Sequence, residues 1–339
     1  MRVSVTTTTC DLSDGDLKQM TQLGVDCIDF GSGSSFPGVK EQGYPDLDAL
    51  LRLKRRIRSF GLDINRVTLP DLSAAFMAGA EESEKEVDHS VAAINVFAEA
   101  GIPIVRQRFA GDTFNHLTQS YKARQRGGAL ARGESLVFSQ TPYEAPTLEA
   151  HEQWWERFLY AYGKLVPAVE EAGIKLGMHP SDSPLQGTPF GGLGYRRIMD
   201  EFPSKQVGYI YCMGTRAEEG GSSLVVDEIN HYGRKGRLFL IHFRNVRGAL
   251  PTAGAFEEAL LDDGDMNMFK LLLELKKVGY DGCLNPDHVP VLEGDSPDLN
   301  ANWAHSNIGW SYGSIGFAYS IGYIKALLNA LNEVTGTKW

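Results

Sequence analysis

KLGMHP (residues 175–180), GYIYCMG (208–214), LFLIHFRNV (238–246) and LNPDHVP (284–290) share one pattern. Each is a short, mostly apolar run that closes on a side chain able to bind a metal or carry a proton. Upstream, residues 3–8, 27–30, 62–69 and 102–108 read as strands of the same kind, so that 175–179, 207–212, 238–246 and 283–287 become strands five to eight. Between and after them, apolar residues recur at helical intervals over 14–23, 46–59, 84–100, 148–172, 195–202, 226–232, 266–278 and 320–334. Strands alternating with helices imply crossover connections and a parallel sheet. Eight such units in one chain predict an α/β protein with a closed (β/α)8 TIM barrel, one domain over residues 1–339. The first strand is followed by no GxGxxG, which disfavours a dinucleotide fold.

A length of 339 residues exceeds the ~250 of a plain barrel. The surplus falls in two long connections, 109–146 after strand four and 289–318 after strand eight. Both leave from the strand C-terminal ends, where barrels keep their active sites, and both are expected to be loop insertions over that face. Lys+Arg number 33 against 43 Asp+Glu, a net charge of −10. That balance argues against nucleic acid or an anionic membrane as the partner. No run approaches the ~18 apolar residues of a membrane span, and the N-terminus lacks a signal-peptide core. Cys10, Cys27, Cys212 and Cys283 form no CxxC pair and no disulfide framework, so a reducing cytoplasm is the expected setting.

His179, Cys212, His242 and Asp287 end four consecutive strands, at separations of 33, 30 and 45 residues, each about one strand–helix unit. In a barrel they converge on one rim. Imidazole, thiolate and carboxylate suit Zn²⁺, Fe²⁺, Co²⁺ or Mn²⁺ rather than Mg²⁺ or Ca²⁺, in a centre expected to keep open positions. Around them, Asp182 in HPSDSP either contacts a sugar hydroxyl or caps the turn before Pro184. Arg244, on the same side as His242 by strand alternation, either holds a carboxylate in two hydrogen bonds or makes a structural ion pair; Asn245 follows it. Arg106, Arg108, Lys122, Arg124, Arg126 and Arg132 make a positive stretch opposed only by Asp112, as an anionic small substrate would require. The acidic run LLDDGDMNM (260–268) lacks EF-hand spacing; Asp262, Asp263 and Asp265 are expected to cap the seventh helix and shape the rim.

HPSDSP, the strand ending in Cys212, HFRNV, DDGDMNM, NPDHVP and AYSIGYIKALL resemble, in order and context, the mannonate dehydratase family. The likeness is strong over about 175–331 and looser before, where RQRFAGDTF (106–114) and RGGAL (126–130) are similar to the family's strand-four loop. The resemblance implies a xylose-isomerase-like barrel that dehydrates D-mannonate to 2-keto-3-deoxy-D-gluconate in hexuronate breakdown with Mn²⁺ or Fe²⁺. It implies metal ligation by His179, Cys212, His242 and Asp287, a catalytic role for His288, and a homo-oligomer. The family's HPDDPP reads HPSDSP here, and its catalytic tyrosine falls near Ile315, with Tyr312 and Tyr319 close by as candidates. Elimination needs a base at C2 and an acid at the departing 3-hydroxyl, so His288 takes one role and Tyr312 or Tyr319 the other, with Arg244, Asn245, Asp182 and Arg106 toward the substrate. Two alternatives use the same residues: a metal-dependent sugar isomerase or epimerase, and a catalytically degenerate sugar-acid-binding protein.

Overall fold

The computed structural model describes residues 1–110, 118–137, 147–180, 191–295 and 314–336. Its strands are β1 (Arg2–Thr7), β2 (Cys27–Phe30), β3 (Asp63–Thr68), β4 (Ile104–Arg106), β5 (Gln119–Arg124), β6 (Leu130–Ser135), β7 (Lys175–Met178), β8 (Val207–Cys212), β9 (Leu238–His242), β10 (Asn245–Arg247), β11 (Ala255–Ala259) and β12 (Cys283–Asn285). The helices are α1 (Asp14–Leu23), α2 (Val39–Gln42), α3 (Leu47–Ser59), α4 (Ala74–Met77), α5 (Lys85–Glu99), α6 (Leu148–Ala172), α7 (Gly192–Glu201), α8 (Met213–Arg234), α9 (Leu250–Ala253), α10 (Met268–Lys277) and α11 (Ser314–Thr335). Eight strands close a parallel barrel in the order β1-β12-β9-β8-β7-β4-β3-β2, as the strand–helix alternation predicts.

The helices form where caps and stripes coincide. Ser13, Asp46, Thr147 and Asn267 each accept a backbone N–H at the start of α1, α3, α6 and α10, satisfying donors that a helix cannot pair internally. In α6 the buried residues Trp155, Phe158, Tyr162, Leu165 and Val169 recur every three or four positions and face the core. Strand β8 is buried along its whole length, as a strand covered on both faces must be.

Three expectations need correction. The connection 109–146 is not loop throughout: β5 and β6 form a hairpin inside it. The expected seventh strand, 238–246, is two strands, because the chain leaves the barrel after His242 and β10 pairs antiparallel with β11. Together they make a second, four-stranded sheet ordered β10-β11-β6-β5 beside the barrel. The helix expected at 226–232 is far longer, since α8 begins directly after Cys212 and is interrupted at Gly221, whose φ is 69°. Among the described residues, no helix is long and apolar enough to cross a membrane.

Candidate metal centre and its surroundings

Parallel register sets the donors at one height. Cys212 pairs with His242 across β8 and β9, and His242 with Asn285 across β9 and β12. His179 follows the last residue of β7, and Asp287 stands two residues beyond β12. One donor atom from each of His179, Cys212, His242 and Asp287 lies within 4.8 Å of all the others. His179 Nε2 and His242 Nδ1 are 3.0 Å apart, and His242 Nδ1 is 3.2 Å from Asp287 Oδ2. Among the described residues, nothing hydrogen-bonds the other ring nitrogen of His242, the buried Nε2. Four electron-pair donors crowded together, one histidine among them with an orphaned buried nitrogen, fit a transition-metal ion.

Electrostatics favour the ligand forms of His179 and Cys212, whereas His242 holds a proton that an incoming ion must displace. Burial, reinforced by the charge of Arg106, brings His179 down to about 4, so its ring is neutral and its lone pair available. Burial pushes the Cys212 thiol up, but the Arg244 guanidinium and hydrogen bonds from His179 and His242 outweigh it and hold the group well below the usual thiol range. Arg244 Nε and Thr215 Oγ1 both donate to Cys212 Sγ at 3.2 Å, and at the start of α8 the Thr215 N–H donates to it at 3.5 Å. Burial opposes a charged His242 too, yet Asp287 and Cys212 raise it to about 9. Asp287 is the one non-glycine with positive φ among the described residues, at 53°. Such backbone costs about 1–3 kcal/mol and survives where its surroundings enforce it. Here the Asp287 N–H donates to Asn285 Oδ1 at 2.8 Å, and Asn285 Nδ2 is tied to Asp29 and Thr6 inside the barrel.

His288 is beside this group. Its Nδ1 is 2.5 Å from Glu258 Oε1 and its Nε2 is 3.5 Å from Asp287 Oδ2. Arg106 ends β4 near enough to His179 to act on its titration. The remaining expectations fare differently. Arg244 turns toward the donors but is fully buried: Nη2 donates to Glu218 Oε1 at 2.7 Å and to Thr215 Oγ1 at 3.1 Å, and Nη1 to Glu258 Oε1 at 3.3 Å. The structural ion pair is therefore realised. Asn245 is likewise engaged by the protein: Nδ2 donates to the carbonyls of Leu261 and Met266, and Oδ1 accepts from the N–H groups of Val246 and Met266.

Tyr319 lies against Asp262 and Arg126. Part of the positive stretch is paired, with Arg126 on Asp262 at 2.7 Å, Arg132 on Glu258 at 3.0 Å and Arg108 on Asp71 at 3.7 Å. In the acidic run, Asn267 rather than an aspartate caps α10, while Asp263 pairs with Arg247 and Asp265 accepts from Gly248. Asp182 and Tyr312 lie outside the described residues. Glu218, Glu258 and Thr215 went unread in the sequence, and Arg132 was read only as part of the positive stretch. Only the alternation in AFEEA (255–259), which buries Phe256 and Glu258 on one face, hinted at the second of them.

The profile of the family described as D-mannonate dehydratase (UxuA) matches residues 140–338, more than half of the chain. The chain belongs to that family. It is 22% identical over 276 residues to mannonate dehydratase 2 of Halalkalibacterium halodurans, covering 73% of this chain and 80% of that one. Mannonate dehydratase of Streptococcus equi subsp. zooepidemicus is 24% identical over 288 residues, 75% of this chain and 77% of its own. Among solved structures, the mannonate dehydratase from Streptococcus suis serotype2 superposes with a TM-score of 0.81 at 21% identity, over 100% of this chain and 95% of that one. An L-ribulose 3-epimerase shares the fold at a TM-score of 0.58 and 16% identity, over 99% and 97% of the two chains. Membership in the D-mannonate dehydratase family makes the chain a hydro-lyase acting on sugar acids, and it does not favour the isomerase or binding-protein alternatives.

Proposed function

We propose that this chain removes water from D-mannonate to give 2-keto-3-deoxy-D-gluconate, with Mn²⁺ or Fe²⁺ held by His179, Cys212, His242 and Asp287. The observation that carries the reading is the crowding of those four donors beside His288, in a member of this family. A bound ion supplies an electrophile that lowers the cost of charge developing next to the substrate carboxylate. The protein's own groups do the rest. Arg106 presents positive charge on the His179 side, suited to the anionic end of the sugar acid. His288 Nε2 faces the donor group and moves a proton to or from the reacting carbons, because its Nδ1 is already engaged. The C2 proton leaves to one group, and the C3 hydroxyl departs as water with a proton from the other. Tyr312 takes the second role in preference to Tyr319, which is occupied by Asp262 and Arg126. Asp182 is assigned to a substrate hydroxyl.

Purified protein, assayed for bound metal and then incubated with D-mannonate and its epimeric aldonates, tests the assignment. The expected result is one transition-metal ion per chain and a 2-keto-3-deoxy acid lighter than its substrate by one water. Interconversion of a ketose and an aldose without loss of mass would transfer the chain to the isomerase reading. Thermal stabilisation by aldonates without any product would transfer it to the binding-protein reading.

A further inference from the structure

The small antiparallel sheet brings a carboxylate to the barrel mouth. Glu258, on β11, is about 1% exposed, and its Oε1 meets three donors: His288 Nδ1 at 2.5 Å, Arg132 Nη2 at 3.0 Å and Arg244 Nη1 at 3.3 Å. Arg132 comes from β6 of the hairpin, and β6 pairs with β11 with Phe256 opposite Glu134, so the sheet sets where the carboxylate stands. We propose that Glu258 is the positioning residue for His288, selecting Nε2 as the nitrogen that exchanges protons with substrate, and that Arg132 fixes Glu258 for this task. The inference rests on the proton-transfer role given to His288 above.

The chemistry follows from what each group can offer. An ionised carboxylate only accepts hydrogen bonds, so the ring nitrogen that faces it must carry a proton. Nε2 also looks toward a carboxylate, Asp287 Oδ2, but at 3.5 Å against 2.5 Å from Nδ1 to Glu258, so in the neutral ring the proton belongs on Nδ1 and the lone pair on Nε2, on the side of the four donors. Burial works against an anionic Glu258, but Arg132 and His288 hold it below the usual carboxylate range. The same contact removes the freedom of the ring to flip. The second sheet is then a working part of the site, because it carries both Glu258 and the arginine that neutralises it.

The test uses the metal-loaded protein. In Zn²⁺-loaded protein with ¹⁵N-labelled histidines, long-range ¹H–¹⁵N spectra, with H288Q to assign the signal, should show the proton of His288 on Nδ1 and none on Nε2. In Glu258→Gln, kcat on the sugar acid should fall about 10–100-fold while KM stays within about threefold. Metal content should be retained, while the unfolding midpoint falls because Arg132 and Arg244 lose the charge of their shared carboxylate. A wild-type spectrum with the proton on Nε2, or an E258Q enzyme within about threefold of wild-type kcat, would overturn the proposal. So would joint loss of metal, fold and activity in E258Q alongside a wild-type spectrum lacking the Nδ1 proton. The spectrum needs no substrate. A parent protein that turns over no aldonate would therefore sink the assigned reaction and leave the His288 geometry to be judged on its own.

Discussion

Arg244 stands two residues past His242 and turns toward the donor group as strand alternation requires, yet its guanidinium is spent on protein partners. Glu218 and Glu258, both buried, take its Nη2 and Nη1, and Cys212 takes its Nε. A charge in that position is tolerable only with those partners, and removing it strands two carboxylates in a low-dielectric interior. Arg244→Met, close in volume, is expected to cost about 3–5 kcal/mol in urea unfolding. A residue that clamped substrate would instead raise KM and leave the unfolding curve where it was, and that outcome would restore the clamp. The side to which Arg244 points was legible from its spacing to His242. Its engagement was not, because Glu218 sits 26 residues away on the first turns of α8, in a stretch whose glycines hide its helical period.

At the scale of elements, the start of α8 shows how closely a helix is pressed onto the site. Gly214 does not need unusual backbone freedom; it needs to be small. A Cβ there would lie 2.4 Å from Arg244 Nε and 2.6 Å from its Cγ and Cζ, and Arg244 is locked by Glu218, Thr215 and Cys212. Gly214→Ala must therefore displace either the helix or the guanidinium, an overpacking cost of about 1–3 kcal/mol. A lowered urea midpoint is the expected reading, and an unchanged midpoint would mean that the helix start yields freely. The barrel strands could be read from sequence because each is an apolar run bounded by turn residues. The hairpin could not: QSYKAR (119–124) keeps only Ala123 buried, so it has no apolar face to betray a strand and passes for a charged loop. Its order comes from pairing with β6 and, through β6, with β11, contacts distant in sequence.

For the whole molecule, the four donors come from the ends of β7, β8, β9 and from just past β12, so the site exists only when the barrel is assembled. An ion that binds the folded chain and not the unfolded one stabilises it by mass action, by about 2.7 kcal/mol at a concentration 100 times Kd. For a chain of 339 residues that is about 4 °C in Tm. Stripping the metal with a chelator should lower Tm by that amount, and readdition should restore it. Two variants separate the site from its scaffold. Cys212→Ser replaces a buried thiolate by a weaker donor and should abolish the metal-dependent increment, with bound metal lost in elemental analysis. Gly214→Ala should begin from a lower Tm and still gain when metal is added. A Cys212→Ser protein with the full increment would remove the sulfur from the ligand set, and a wild-type Tm indifferent to chelation would leave the four-donor group as a self-contained hydrogen-bond cluster.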